Sequence, residues 1–218
     1  MHMADVSRNM WGGHAIVGGH LPIAAGLALG DQYAGNDHVH ICLFGDGATN
    51  IGYFHEALNL AMTWNLRVLW VCENNQYGMG TAVERASAVS EIERKADGYG
   101  MTHERVDGMD VLAVHAASKK AIERVRTQGK PHLMEMMTYR FRGHSMSDPV
   151  HSHYRTKEEV EEQKKLDPIL IFQEKLIKEG VLTEAKVKEY EDEIKKQVLD
   201  AVDFAEKSPE PAMEELYT

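Results

Sequence analysis

The 218 residues, 43 % hydrophobic and 27 % charged, suffice for one large α/β domain or two small ones with an ample core. A formal net charge of −10 argues against nucleic acid or an anionic membrane as a partner. Eight of those charges fall in residues 156–218, where ten Lys face eighteen Asp and Glu, a balance better explained by solvated helical faces than by a binding patch.

Along the chain, MHMADVSRNMWGGHAIVGGH has glycines and no sustained period, so it reads as loop. From Leu21-Pro22 to Tyr33 the run LPIAAGLALGDQY predicts a closely packed helix, with Pro22 in its first turn. A strand is expected at 39–44, then the turn GDG, then a helix from Asn50 to Trp64. Ile51, Phe54, Leu58, Ala61 and Met62 share one stripe of that helix. A second buried strand, RVLWVCE, runs into Asn74-Asn75. A short strand at 102–106, a helix at 111–128 and a strand at 132–140 follow, and then the loop RGHSMSDPVHSHY. Residues 157–207 read as helices broken near Asp167-Pro168 and Gly180, and SPEP ends the last one. Strands separated by helices imply a parallel sheet covered on both faces. Cys42 and Cys72 lie inside strand-like runs and read as buried free thiols of a reducing compartment. No apolar run approaches the ~18 residues of a membrane span, and no signal peptide precedes the first Gly-rich stretch, which points to cytoplasm or an organelle matrix.

The stretch 45-GDG-47 poses the chemical question. A glycine turn leading into a helix is where proteins hold phosphate groups, yet Asp46 brings a negative charge to it. At ~4 Å and an effective dielectric of ~20, a phosphate charge would repel that carboxylate by roughly 4 kcal/mol. A cation between the two reverses the sign. Asp46 and Asn75 each follow a strand of the same βαβ unit, so both fall at the carboxyl end of the sheet, where such folds bind ligands. Asp46, the Asn75 amide oxygen and a backbone carbonyl of the NNQYG turn suit Mg²⁺, which takes oxygen ligands in octahedral array together with substrate phosphates. Gly45 and Gly47 let the backbone approach the ligand. Neither a dinucleotide fingerprint nor a P-loop is present, and a lone GDG is weak; GDG, a helix, a strand and NN in series carry the signal.

GDG followed by 26 residues and NN is similar to the thiamin diphosphate motif. GGHAIVGGHLPIAAGLAL, GDGATNIGYFHEALNLAMTW, CENNQYGMGTAVERASAV, VDGMDVLAV, YRFRGHSMSDP and SPEPAMEELYT resemble the alpha-subunit family of the pyruvate dehydrogenase component of 2-oxo acid dehydrogenase complexes, over essentially the whole chain. RASAV, RGHSMSDP and the SPEP…ELYT ending look more like the pyruvate enzymes than the branched-chain or acetoin ones. The resemblance implies a three-layer thiamin diphosphate-binding fold with a mainly parallel sheet, spanning residues 1–155, followed by a helical C-terminal extension of the same domain at 156–218. It implies thiamin diphosphate and Mg²⁺ as cofactors, with Asp46, Asn75 and the carbonyl of Tyr77 on the metal. Gly47 and Ala48 would meet the diphosphate, and Ala15 and Val17 the aminopyrimidine ring, although relatives often have glycine at Ala15. His144 matches the active-site histidine, and Ser145 a phosphorylation site of mitochondrial relatives. His151 and His153 have no assignment.

The resemblance further implies oxidative decarboxylation of pyruvate with acetyl transfer to the lipoyl domain of an acyltransferase component. The beta subunit of an α₂β₂ assembly would supply the glutamate that activates the aminopyrimidine. The setting is cytoplasm in a bacterium and mitochondrial matrix in a eukaryote. Relatives carry a further N-terminal segment that completes the diphosphate cradle, so the chain is expected to be truncated; the alternatives are a branched-chain 2-oxo acid or acetoin dehydrogenase alpha subunit and, from another class, a non-catalytic fold fragment. The glycine and alanine run from Gly18 to Gly30 predicts a helix that lets another backbone come close.

Overall fold

The computed structural model describes residues 3–148 and 154–217, so His151 and His153 lie outside the described residues. The first helix, α1, is His20–Ala34 and carries Pro22 in its first turn, where the missing N–H costs nothing. Its small residues divide by face. Ala24, Ala25 and Ala28 are buried with Leu21 in the core, whereas a side chain added at Gly26 or Gly30 would meet nothing. The outer face of α1 is thus the open one.

Strand β1 (His40–Gly45) follows, then a 3₁₀ turn at Asp46–Asn50 and helix α2 (Gly52–Thr63). Phe54, Ala57, Leu58 and Ala61 form the buried stripe of α2, while Ile51 precedes the helix as its cap. Strand β2 (Val68–Asn74) is apolar on both faces, as a central parallel strand must be. A two-residue hairpin, β3 (Tyr77–Gly78) with β4 (Thr81–Ala82), leads into the single turn α3 (Val83–Ala86) and a 3₁₀ segment at Ile92–Tyr99. Strand β5 (Thr102–Asp107), helix α4 (Val111–Gln128) and strand β6 (His132–Met137) complete the sheet. Helix α4 starts where the Asp110 side chain accepts hydrogen bonds from the N–H groups of Leu112 and Ala113 at 2.9 and 3.2 Å.

The sheet has the order β1-β2-β6-β5 and every pairing in it is parallel. Val68, Trp70 and Cys72 of β2 face one core cluster together with buried residues of α1 and α2. Leu69 and Val71 face the other, with Ala121 and Val125 of α4 and Met134 of β6. The expected α/β layering is therefore present, with helices on both sides of a parallel sheet. The alternation also exposes a gap. Register pairs Ile41 with Leu69 and Leu43 with Val71, so the two β1 residues lie on the face that α4 covers further along. They remain 49 % and 53 % exposed at the sheet edge.

The chain forms two compact units, Met1–Pro168 and Ile169–Thr218. Helix α5 (Lys157–Lys164) belongs to the first, where Val160 is buried. Helix α6 (Pro168–Lys178) leads into the second unit, which also holds α7 (Glu184–Lys207), capped by the Thr183 hydroxyl. Among the described residues no helix is long and apolar enough to cross a membrane. Cys42 and Cys72 are free and buried; burial pushes the Cys42 thiol up to about 12 and Cys72 well above its ordinary range, so both stay protonated and unreactive.

Leu133, fully buried in β6 between two partner strands, tests the core. Leu133→Ala should lower unfolding free energy by about 2–5 kcal/mol in a urea titration followed by circular dichroism. A loss confined to a few tenths would mean that the sheet centre repacks freely.

Candidate functional site

Two turns meet at the carboxyl ends of β1 and β2. Gly45 pairs with Glu73 in the parallel register, which brings the segment after β1 beside the segment after β2. A Cβ built on Gly78 would lie 3.3 Å from the Gly47 Cα and 3.8 Å from Asp46 Oδ2. A side chain at Gly78 would need the facing turn to give by a few tenths of an ångström, and one at Gly47 would just touch the Gly78 Cα at 3.4 Å. Asp46 is only 5 % exposed, and the backbone N–H of Asn75 donates a hydrogen bond to its carboxylate. Burial raises the Asp46 pKa; hydrogen bonds from the backbone N–H groups of Asp46 and Asn75 and the charge of Arg140 oppose that rise without cancelling it.

The second turn is held in an unusual conformation. Gln76 and Met79 have φ of 73° and 57°, values that non-glycine residues rarely adopt and that concentrate at ligand sites. Side chains and strands fix it. Asn74 Oδ1 accepts the Gln76 N–H at 2.9 Å, Asn75 Oδ1 accepts the Tyr77 N–H at 3.1 Å, and Thr138 N–H donates to the Asn74 carbonyl at 2.9 Å. Arg140 adds two bonds from the loop after β6, Nη1 to the Tyr77 carbonyl at 3.1 Å and Nη2 to the Met79 carbonyl at 2.7 Å. The Tyr77 carbonyl thus has one acceptor site occupied and one left.

The same arginine ties in the histidine loop. Asp148 Oδ2 accepts from the His144 N–H and from the Tyr154 hydroxyl, both at 2.7 Å, and lies 3.9 Å from Arg140 Nη2. The side chains of His144 and Ser145 are exposed, and Ser145 Oγ is 3.0 Å from Ser147 Oγ. Behind the loop, the Arg155 guanidinium faces the rings of Tyr77, Tyr139 and Tyr154 at 6.0, 5.7 and 5.4 Å. It donates to the carbonyls of Arg140 and Arg142. Glu159 of α5 accepts from the Tyr77 and Tyr139 hydroxyls at 2.9 and 2.8 Å; burial and then that carboxylate push both phenols up to about 12.

Ala15 and Val17 are exposed on the loop before α1. That loop is adjacent to the start of α2, because a Cβ on Gly18, whose φ is +77°, would meet Ile51 Cδ1 at 2.3 Å. Asp46, Gly47, Asn75 and Tyr77 are therefore brought together, His144 is linked to them through Asp148 and Arg140, and Ala15 and Val17 stand on a neighbouring loop. Ala48 is buried in the turn itself. An open groove of about 500 Å³ lies elsewhere, by Trp11, Gly30, Asp31 and His40 at the amino end of β1.

Several participants have weak sequence signals. Glu135 is a charged residue inside the apolar run HLMEMM and is completely buried, accepting from Asn74 Nδ2 at 2.6 Å and the Glu93 N–H at 3.2 Å, with Arg105 Nε at 3.8 Å. Burial alone would raise its pKa; the hydrogen bonds from Glu93 and Asn74 and the Arg105 charge outweigh burial and keep it ionised. Glu93 takes the proton. Burial first, then the hydrogen bond and charge of Glu135, raise it to about 7. Its Oε2, buried without a donor facing it among the described residues, becomes a donor once protonated.

Donor chemistry matches a hard cation. Among the described residues no cluster of three or more His, Cys, Asp or Glu suits a metal, which leaves one carboxylate with amide and carbonyl oxygens. A buried carboxylate short of solvation, beside oxygen donors and two close-packed glycines, fits Mg²⁺ with a diphosphate rather than a soft metal.

The chain matches the dehydrogenase E1 component family over residues 1–214. It is 44 % identical over 219 residues to the pyruvate dehydrogenase E1 component subunit alpha of Rhizobium meliloti, covering 100 % of this chain and 62 % of that protein. It is 45 % identical over 218 residues to the mitochondrial somatic form from Bos taurus, covering 99 % and 54 %, and 42 % identical to the Rickettsia felis subunit, covering 100 % and 66 %. The chain thus spans between about half and two thirds of the length of these relatives.

The shared proton sets a pH dependence. Because the folded-state pKa of Glu93 lies above the ordinary 4.5, its contribution to stability is full below about pH 4.5 and is lost as pH rises through about 7. Glu93→Gln, which keeps a donor toward Glu135 at every pH, should flatten the stability profile between pH 5 and about 8 in urea titrations. An unchanged slope would place the proton elsewhere.

Proposed function

Because the chain belongs to the dehydrogenase E1 component family, we propose that it is the alpha-subunit part of a thiamin diphosphate- and Mg²⁺-dependent pyruvate dehydrogenase. The observation that carries this reading is Asp46: a desolvated carboxylate held by the Asn75 N–H where two glycine turns touch at the carboxyl end of a parallel sheet. In this reading Asp46, the Asn75 amide oxygen and the Tyr77 carbonyl hold Mg²⁺. The backbone at Gly47 and Ala48 meets the diphosphate, and Ala15 and Val17 line the aminopyrimidine. Thiamin diphosphate, held by these residues, would supply the electron sink that decarboxylation of a 2-oxo acid requires. The chain's own residues position and neutralise. Asp46 places a cation against the diphosphate charge, Arg140 fixes the turn carbonyls, and His144, on a loop tethered through Asp148, presents an imidazole on the solvent side of the site.

The reading extends to partners by kinship with relatives named as alpha subunits of the E1 component. A beta subunit completes an α₂β₂ enzyme, and the acetyl group passes to the lipoyl domain of the acyltransferase component. Relatives from bacteria and from mitochondria support a setting in bacterial cytoplasm or mitochondrial matrix.

Asp46→Asn separates the anchor from the fold. In calorimetric titration with thiamin diphosphate and Mg²⁺ the variant should lose metal-dependent uptake. Its metal-free urea midpoint should hold or rise, because a poorly solvated charge has been removed. Mg²⁺-dependent binding unchanged in the variant would overturn the anchor assignment, and no uptake by the parent chain assembled with its beta subunit and supplied with the relatives' N-terminal segment would overturn the cofactor. In the enzyme assembled with its beta subunit, His144→Ala should lower kcat while leaving KM nearly unchanged, as expected of a group acting on developing charge. A raised KM at constant kcat would make His144 a substrate-binding residue.

A further inference from the structure

Lys95, on the 3₁₀ segment Ile92–Tyr99, reaches the turn that presents Asp46. Its ammonium has three protons, and three acceptors surround it: the Thr49 carbonyl at 3.1 Å, Thr49 Oγ1 at 3.0 Å and Asn50 Oδ1 at 2.6 Å. All three belong to the last two residues of the turn Asp46–Asn50. The side chain passes over the Phe54 ring, with Nζ 5.9 Å from its centroid. Lys95 therefore spends its whole bonding capacity on one short segment.

The Thr49 hydroxyl converts that cap into a direction. Thr49 is fully buried, and its Oγ1 also lies 2.8 Å from the Asp46 carbonyl. A hydroxyl has one proton. Because the ammonium occupies a lone pair of Oγ1, the proton is left to point at the Asp46 carbonyl. An N–H from Lys95 and an O–H from Thr49 then form a continuous relay ending on the backbone of the residue whose carboxylate faces Gly78. On the far side, Asn50 Nδ2 donates to the Ala86 carbonyl at 2.9 Å, so the segment is held from both ends.

We propose that Lys95 is a positioning residue for Asp46, acting through Thr49 to fix the turn that aims the carboxylate. The proposal rests on the reading of Asp46 as the cation anchor. Outer-shell partners of metal ligands affect affinity by orienting the ligand, without touching the metal, and their loss typically costs about 10–100-fold.

Three variants of the full chain test this: Lys95→Met, Thr49→Val and Lys95→Arg. Mn²⁺ affinity is measured by electron paramagnetic resonance with saturating thiamin diphosphate, and hydrogen exchange of peptides spanning residues 46–50 is measured without any ligand. Lys95→Met and Thr49→Val should each weaken Mn²⁺ binding by about 10–100-fold and speed exchange across the turn. Lys95→Arg, which keeps the charge and several donors, should restore most of the affinity. Unchanged Mn²⁺ affinity in Lys95→Met overturns the proposal, as does a loss that merely follows the urea midpoint and that arginine does not restore. If Lys95→Met fails to fold, Thr49→Val, which keeps the carbonyl contact and nearly the same shape, decides between the two outcomes. If the parent chain takes up no Mn²⁺, the cation reading of Asp46 fails. Exchange alone then decides for Lys95: faster exchange at 46–50 supports its hold on the turn, and unchanged exchange removes it.

Discussion

Parallel neighbours in a sheet end side by side, and in this chain that fact concentrates charge. The register that pairs Gly45 with Glu73 forces the chain leaving β1 and the chain leaving β2 into the same space. Glycine at 47 and 78 eases the approach, and Asp46 is carried into the crowd with little water around it. Solvation lost there is recovered in part from the Asn75 N–H and the nearby Arg140 charge. The remainder is an unmet demand for positive charge, the demand that the proposed Mg²⁺ would answer.

The supporting groups use two strategies. Cations bind carbonyls: Arg140 takes those of Tyr77 and Met79, and Arg155 those of Arg140 and Arg142. Carboxylates bind N–H and O–H groups: Glu135 holds Asn74, and Glu159 holds two tyrosines. Long side chains from β6, its following loop and α5 thereby grip the backbone and side chains of the two turns and of the loop after β6. Buried polar groups of this kind contribute little net stability when satisfied and cost heavily when one member is lost, so the network behaves as a unit. Glu93 is the exception that tunes it, since its proton is held only while the pH stays near or below neutrality.

Much of this architecture was legible in the residues. The helix expected at 111–128 is found at Val111–Gln128, because Asp110 and Gly129 mark its ends with chemistry that acts locally. Strands β1, β2, β5 and β6 announce themselves by apolar runs between turn residues, and the two turns of the site by their glycines and asparagines. Strand β6 stops at Met137, short of the expected 140, because Tyr139 and Arg140 turn to meet groups far away in sequence. The segment Ile92–Tyr99 has buried Ile92 and Ala96 at helical spacing, but its charged residues hide the signal. Glu93 with Glu135, Lys95 with Thr49, and Arg155 with Tyr77 and Tyr139 are partnerships between residues far apart in the chain, so no local pattern encodes them. Their types offer only a hint: a glutamate in an apolar strand needs a partner somewhere.

The uncovered side of β1 has a practical meaning. Among the described residues its outer edge has no neighbouring strand, and Ile41 and Leu43 leave an oily flank along it. An edge of that kind, on which His20 Nε2 takes the Leu43 carbonyl at 2.7 Å but neither a proline nor a lysine blunts the apolar strand, is a template on which other chains add strands. In concentrated solution the chain by itself should therefore lose material to sheet-rich association before its fold fails. Whatever shields β1 would also set how long the chain survives in soluble form.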